Sequence, residues 1–266
     1  MDTNSCKIKI HDLLSVVFHK KNFEISYKGK SLERIQNNNH IFFINEELKG
    51  IIQSRLQYNI DVDMVIKLNF PTIPFELKDY SFYHKHYTPY CFDDNEIINS
   101  VESQWQSQKI AHKLNIAPDI FSKEYHEGII YTVMEKINSN NIDIICGNKN
   151  IDFALSKKYE IIQSLEKLHE NGILHGDVLT SACIYTNQIH NIYYDTEKGI
   201  GFIDFGESRY IGEGIGDEEF KKWQMIEMEL VKEKLFTKIS KEEMEYYISV
   251  EKMLQYNYIT NINNSI

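Results

Sequence analysis

The alternation of apolar and polar positions predicts a β-rich first part of the chain. Residues 22–28 alternate as a half-buried strand does, and Gly29 follows them as a turn. The apolar run at 41–44 predicts a second strand. Residues 51–58 and 64–68 are interpreted as the two arms of a further hairpin.

Residues 69–94 interrupt this pattern. Three of the four prolines lie here, Pro71, Pro74 and Pro89, among many Tyr, Phe and His residues. This composition is typical of a long loop or an insertion. Its aromatic side chains either pack onto the domain or form a surface for a partner protein.

The rest of the chain indicates helices with short strands between them. The clearest helix, at 156–171, places Ile161, Ile162, Leu165 and Leu168 on one face, and Asn171-Gly172 is a favourable stop. Helices are also expected from 93–95 to Asn115 or Pro118, near 217–236 and near 241–255. Strands are expected at 129–133, 142–146, 184–185, 192–194 and 201–203. The expected fold class is therefore α+β, with a β-rich lobe followed by a helical lobe.

Composition narrows the function classes. The net charge of −10 opposes general binding to phosphate backbones, so a nucleic-acid partner is not expected. No apolar stretch is long enough to span a bilayer, and residues 1–5 lack the features of a secretory signal. The four cysteines stand far apart without a CxxC pair, which favours reduced thiols and a cytoplasmic protein.

Two acidic residues follow apolar runs and precede or follow a glycine. In the first segment, Ile173 to Asp177, the carboxylate of Asp177 can orient a hydroxyl group and accept its proton. In the second, Gly201 to Gly206, the carboxylate of Asp204 suits a divalent metal that bridges phosphates. Each residue taken alone is equally compatible with a structural turn.

A lysine within a predicted apolar strand is the third candidate functional residue. Lys67 lies in the run Met64 to Leu68, where burying an ammonium group is costly unless it meets anions. Phosphate oxygens and a carboxylate would supply these anions. Glu102, on the helix predicted after this strand, offers the carboxylate. The alternative is a strand-edge lysine whose ammonium group reaches water.

Together these residues resemble the protein kinase superfamily. Val65-Ile66-Lys67 is similar to the VAIK strand, and His175-Gly176-Asp177 to the HRD catalytic loop in its HGD form. Asp204-Phe205-Gly206 matches the DFG triplet. Within the superfamily, segments 175–181 and 203–208 resemble the small atypical kinases, which include the RIO kinases and the kinase of the KEOPS tRNA-modification complex.

The resemblance implies a bilobal protein-kinase-like fold with a shortened helical C-lobe, divided into residues 1–134 and 135–266. It implies ATP and Mg²⁺ as ligands and a protein as substrate or partner, with Asp177 as catalytic base and Asp204 as metal ligand. The resemblance also implies a set of residues that bind ATP. These are Lys67, Glu102, Gly50, Met134 as gatekeeper, Glu135 and Ile137.

Three features depart from the family pattern. Ala182 stands five residues after Asp177, where the family has a metal-binding Asn. Gly50 occupies the position of the last glycine of the phosphate-binding loop, but Asn45 and Glu47 occupy the earlier glycine positions. Residues 253–266 contain no Lys or Arg, so the basic tail of the KEOPS kinase is missing.

Three functions remain open on the sequence. The first is an active ATP-dependent kinase whose acceptor is a serine or threonine hydroxyl. The second is a pseudokinase that binds nucleotide or a partner protein without chemistry, which Ala182 and the altered glycine loop favour. The third is a small-molecule kinase, which the short tail after Gly206 opposes.

Overall fold

A computed structural model of the chain describes residues 9–18, 23–35, 40–70, 94–137, 142–144, 155–178, 191–211 and 216–234. Several predictions lie outside the described residues. These are most of the aromatic segment 69–94, Ala182, the strand at 184–185, the helix at 241–255 and the tail 253–266. Among the helices that the structure describes, none is both long and apolar enough to cross a membrane.

Contacts between Cα atoms divide the chain into two compact units. Unit 1 comprises Met1–Glu102 and Asp119–Lys136, and unit 2 comprises Ser103–Pro118 and Ile137–Ile266. Strands and helices both contribute to the chain, and the strands dominate its first part. The predicted α+β class with a β-rich first part is confirmed.

The described residues of unit 1 form two antiparallel sheets. The smaller one has the order β1-β2-β3, and the larger one has the order β4-β5-β7-β6. The strands of the smaller sheet are β1 (Leu14–Phe18), β2 (Phe23–Tyr27) and β3 (Lys30–Ser31). Those of the larger sheet are β4 (Ile41–Phe43), β5 (Met64–Asn69), β6 (Ile120–His126) and β7 (Ile129–Glu135).

The hairpin expected at 51–58 and 64–68 is only half correct. Its second arm is β5, but the first lies in helix α1, Glu46–Leu56. The Asn45 side chain caps this helix by accepting the Leu48 amide at 2.9 Å. Buried Leu48, Ile52 and Leu56 recur every four residues, which is the spacing of one helical face.

Unit 2 combines helices with short strands. The strands are β8 (Ile142–Ile144), β9 (Ile173–Leu174), β10 (Ile192–Asp195), β11 (Gly199–Phe202) and β12 (Arg209–Tyr210). They form the sheets β11-β10-β8 and β12-β9. The helices are α2 (Asp94–Lys113, whose first residues belong to unit 1), α3 (Lys158–Glu170) and α4 (Asp217–Glu229), and a π-helical turn (Leu230–Lys234) follows α4.

An apolar cluster packs α3 against several of these elements. Ile161, Leu165 and Leu168 of the predicted α3 face are buried and Ile162 is partly buried. This face packs with apolar side chains of β9, β11 and the segment after β11. The participating residues include Ile161, Leu165, Leu168, Ile173, Phe202 and Phe205, all at most 2% exposed. The helices predicted at 156–171 and from 217, and the strands predicted at 192–194 and 201–203, are confirmed within a few residues.

Candidate functional site

The segment that contains Asp177 begins where β9 ends. β9 is buried and pairs with β12, which fixes the point at which the chain turns at His175. Gly176 has a φ of +82°, a conformation that costs glycine little and other residues more. The positive φ therefore explains why a glycine lies between His175 and Asp177.

The carboxylate of Glu227, in α4, holds this segment in place by hydrogen bonds. One oxygen accepts the Gly176 amide at 2.7 Å, and the other accepts the His175 amide at 3.2 Å and His169 Nε2 at 2.8 Å. Burial by itself raises the pKa of Glu227, but the hydrogen bond and charge of His169 and the Gly176 amide outweigh it. The pKa of Glu227 is therefore lowered, and the group is a buried carboxylate anion at neutral pH.

The position of His175 fits a structural role rather than a catalytic one. Its ring is fully buried, and its centroid lies 4.7 Å from that of Phe205 and 5.5 Å from that of Phe202. Burial lowers the pKa of His175, so its imidazole is neutral. Nδ1 accepts the Asp177 amide at 3.3 Å, which leaves the proton on Nε2 to be donated to the Ile203 carbonyl at 3.1 Å.

The side chain of Asp177 is partly exposed and is contacted by Asn191. The Asn191 Nδ2 atom lies 2.7 Å from Asp177 Oδ2 and 2.8 Å from the Asp177 carbonyl oxygen. Both partners are acceptors, so the NH₂ end of the amide must face Asp177. The Asp177 carboxylate is therefore partly exposed, and its hydrogen bond to Asn191 sets its orientation.

Asp204 follows β11 in a left-handed backbone conformation, with φ of 60° and ψ of 62°. It is exposed, whereas the next residue, Phe205, is buried in the apolar cluster. A Cβ atom at Gly206 would approach Asp204 Oδ1 to 3.3 Å, and the Gly206 carbonyl accepts the Gln104 side chain at 2.5 Å. The triplet thus combines a surface carboxylate, a buried ring and a closely packed glycine.

Hydrogen bonds connect the Asp177 segment to the Asp204 segment. The His175 ring donates to the Ile203 carbonyl, and the Ile203 amide donates to the Asn191 carbonyl at 2.9 Å. Asn191 in turn contacts Asp177. The structure therefore brings together the segments that carry the two predicted acidic residues, within unit 2.

Lys67 lies in unit 1 on β5. Its Cα partners are Ile41 of β4 and Thr132 of β7, and its side chain is partly exposed. Ile66 and Leu68, its neighbours in the strand, belong to the apolar core, so Lys67 projects from the opposite face. Glu102 of α2 belongs to the same unit and is partly exposed.

The predicted adenine-binding residues lie at the end of β7. Met134 pairs with Val65 across the sheet and is partly exposed. The Glu135 carboxylate accepts the Asp119 amide at 3.0 Å, which ties this strand end to the start of β6. Ile137 is also partly exposed.

Gly50 does not lie in a loop between strands, and this implication of the resemblance is wrong. It is the fifth residue of α1, where backbone amides are used within the helix. Glu47 lies in the first turn of α1 and pairs with Lys28 at 2.7 Å. The helix forms because a capping residue and a four-residue apolar spacing override the glycine.

Two residues of this arrangement were not predicted from the sequence. Glu227 could have been found, because it shares one helical face with the buried Phe220 and Trp223, where a carboxylate needs partners. Asn191 gives no comparable signal. An Asn before a strand is typical of an ordinary turn.

The donor groups near Asp204 suit magnesium. Mg²⁺ prefers oxygen ligands and commonly binds through one or two carboxylates, phosphate oxygens and water. Asp204 offers an exposed carboxylate of this kind. Within the described residues, no three His, Cys, Asp or Glu side chains form a metal cluster. An exposed carboxylate of this kind fits a magnesium ion whose other ligands are phosphate oxygens and water.

No protein-family model matches the chain. Among solved structures, the chain is similar to the Cydia pomonella granulovirus kinase PK-1, with 13% sequence identity and a TM-score of 0.40. The match covers 68% of this chain and 55% of that kinase, little more than half of its length. At this distance the likeness transfers no residue role and no activity.

Proposed function

We propose that the chain is an ATP-dependent phosphotransferase that transfers the γ-phosphate to a hydroxyl group, with a serine or threonine of a protein as acceptor. One observation supports this most strongly. The accessible carboxylate of Asp177 is oriented by Asn191, and its segment is hydrogen-bonded to the one that ends in Asp204. Phosphoryl transfer needs one carboxylate at the acceptor and another at the phosphates.

In the proposed reaction, the acceptor oxygen attacks the γ-phosphorus of ATP. The bond from that phosphorus to the oxygen bridging the β- and γ-phosphates breaks, and ADP leaves with the electron pair. The Asp177 carboxylate accepts the hydroxyl proton as the new bond forms. Orientation by Asn191 keeps the accepting oxygen in one position, which lowers the entropic cost of the step.

Unit 1 would contribute to ATP binding. Lys67 would contact the α- and β-phosphates, and Glu102 would hold its ammonium group. Met134 would border the adenine pocket, with Glu135 and Ile137 beside the base. Magnesium, held by Asp204, would neutralise phosphate charge when bound.

Thermal unfolding with ATP, in the presence and absence of magnesium, tests this proposal. A ligand present at 100 times its Kd adds about 2.7 kcal/mol to the stability of the folded state. We expect stabilisation of wild type by ATP with magnesium, a reduced effect in Lys67→Met, and loss of the magnesium dependence in Asp204→Asn. Asp61→Asn, an exposed substitution in unit 1, is the control that should behave as wild type. Absence of any nucleotide effect at millimolar ATP would contradict the proposal.

A pseudokinase is the second candidate, favoured by the position of Gly50. Because α1 uses the amide of Gly50 internally, that amide cannot donate to a phosphate. Ala182 likewise offers no metal ligand. This candidate predicts nucleotide binding that is weak or independent of magnesium, and no phosphate transfer. Magnesium-dependent stabilisation by ATP, together with transfer, would exclude it.

A further inference from the structure

Two lysines flank the same threonine in the larger sheet of unit 1. Lys67 of β5 and Lys123 of β6 are both Cα partners of Thr132 in β7. The three residues therefore form one row across three adjacent strands, and their side chains lie on the same face of the sheet. Neighbouring strands lie about 4.7–4.9 Å apart, so the backbones of the two lysines are about 10 Å apart.

The row lies on the face of the sheet opposite the apolar core. Tyr131 and Val133, the neighbours of Thr132 in β7, belong to the core cluster, so Thr132 projects from the other face. Val101 of α2 packs on Ile130, which shares that other face with Thr132. Helix α2 therefore covers part of the face that carries the two lysines.

The burial of Lys123 is the notable feature of this row. Lys123 is only 6% exposed and Thr132 only 4%, whereas Lys67 is partly exposed. A buried ammonium group is costly without anions, and both lysines interact with other groups of the folded chain. Glu102, which follows Val101 in α2, supplies one negative charge against the two ammonium groups. The two lysines and Glu102 together keep one positive charge in excess, which favours an anionic ligand.

The altered glycine loop gives a second lysine a chemical purpose. The amide of Gly50 is used within α1, so it cannot donate to a phosphate. Phosphate-binding loops draw much of their affinity from such backbone amides. A lysine is an alternative phosphate ligand, because it brings a point charge and three donors on a flexible four-carbon stem. Lys123 can therefore supply charge and donors that the backbone of α1 does not.

We propose that Lys123 is a second phosphate-binding lysine, which together with Lys67 and Thr132 makes this sheet face a site for a polyphosphate chain. The inference rests on the proposed phosphotransferase function and adds one residue to its ATP site. The two ammonium groups bind different phosphates of the same chain, and the Thr132 hydroxyl lies between them. Much of the affinity for ATP therefore comes from its phosphates, and inorganic tripolyphosphate binds without a nucleoside.

The test measures the binding of inorganic tripolyphosphate, ATP and adenosine by titration calorimetry at one fixed magnesium concentration. The proteins are the wild-type chain and its variants Lys123→Met, Lys67→Met and Lys30→Met. Methionine keeps the length of the apolar stem and removes the charge. Lys30, an exposed lysine of β3 in unit 1, is the control. A crystal structure of wild type with tripolyphosphate reports on Lys123 even if Lys123→Met does not fold.

We expect Lys123→Met to weaken the binding of tripolyphosphate and of ATP about 10- to 100-fold, the size of effect that loss of one hydrogen bond to a charged group produces. Lys67→Met should show a loss of similar size, and Lys30→Met should bind as wild type does. Adenosine has no phosphate, so its affinity should be the same in all four proteins. In the crystal structure, Lys123 Nζ should lie about 2.7–3.2 Å from a phosphate oxygen.

Wild-type affinity for both polyphosphates in a folded Lys123→Met protein would overturn the inference. So would a crystal structure in which Lys123 Nζ contacts only groups of the protein, or a wild type that binds neither tripolyphosphate nor ATP. Phosphate transfer by wild type, combined with unchanged binding in Lys123→Met, would refute this inference alone. Binding that depends on Lys123, without any phosphate transfer, would support the inference and refute the phosphotransferase function alone.

Discussion

His169 Nε2 and the Glu227 carboxylate lie 2.8 Å apart, with side chains only 11% and 9% exposed. His169 is in the last turn of α3, and Glu227 is near the end of α4, so the contact joins the two helices. Because the same carboxylate accepts the amides of His175 and Gly176, it also sets the position of the segment that contains Asp177. A single buried acid thus couples helix packing to the candidate site.

Removing this acid should destabilise the protein. In Glu227→Ala, His169 and two backbone amides lose their acceptor, and each buried polar group left unsatisfied costs about 1–3 kcal/mol. Urea unfolding measures the loss. Glu229→Ala removes an exposed acid from the same helix and should change stability by no more than about 0.5 kcal/mol. Equal stability of the two variants would show that Glu227 does not carry this role.

The pH dependence of stability should reflect His175. Burial lowers its pKa from 6.5, so in acid the unfolded chain binds a proton at this residue before the folded chain does. Its contribution is fully present above pH 6.5 and is lost as the pH falls below this value towards the folded pKa. The lowered pKa of Glu227 acts in the same direction, with its contribution lost as the pH falls below 4.5.

Urea unfolding of wild type and of His175→Gln, between about pH 7.5 and pH 5, measures this effect. The variant cannot titrate at this position. The stability of wild type relative to the variant should therefore decrease as the pH falls. Parallel curves for the two proteins would contradict the lowered pKa of His175.

Substitution of Gly50 distinguishes a helix residue from a phosphate-loop glycine. Gly50→Ala should stabilise the protein by about 0.5–1 kcal/mol, because alanine favours the helix interior and a Cβ atom there would meet no atom within 4 Å. Nucleotide affinity should not change. A loss of ATP binding in a folded Gly50→Ala protein would instead indicate that its backbone contacts phosphate.

The sequence predicts those parts of the fold that depend on local periodicity. The apolar face of α3 recurs at helical spacing, so its burial could be inferred before the structure. The hairpin arm predicted at 51–58 is wrong, because the cap at Asn45 and the spacing of Leu48 and Ile52 determine a helix. The segment of β6 shows no clear alternation of apolar and polar residues, so the pattern does not predict this strand.

The residues of the candidate site also differ in whether the sequence predicts them. Asp177 and Asp204 could be selected because each follows an apolar run and has a glycine within two positions, a pattern contained in a few residues. Asn191 and Glu227 act through contacts with residues that are distant in sequence, at separations of 14 positions from Asp177 and 51 from Gly176. The helical face of α4 indicates that Glu227 is buried, but no local pattern specifies the partners of Glu227 or Asn191, since these depend on how α4 and β10 pack in unit 2.

The most direct test of the account is transfer of labelled γ-phosphate from ATP with magnesium, measured for wild type and for Asp177→Asn. The substitution keeps the shape of the side chain but removes its capacity to accept a proton, and general-base catalysis contributes about 10²- to 10⁴-fold. The account predicts transfer by wild type to a protein hydroxyl and a loss of that size in the variant, with ATP binding retained. Equal transfer by the two proteins, or no transfer by a wild-type protein that binds ATP, would contradict it.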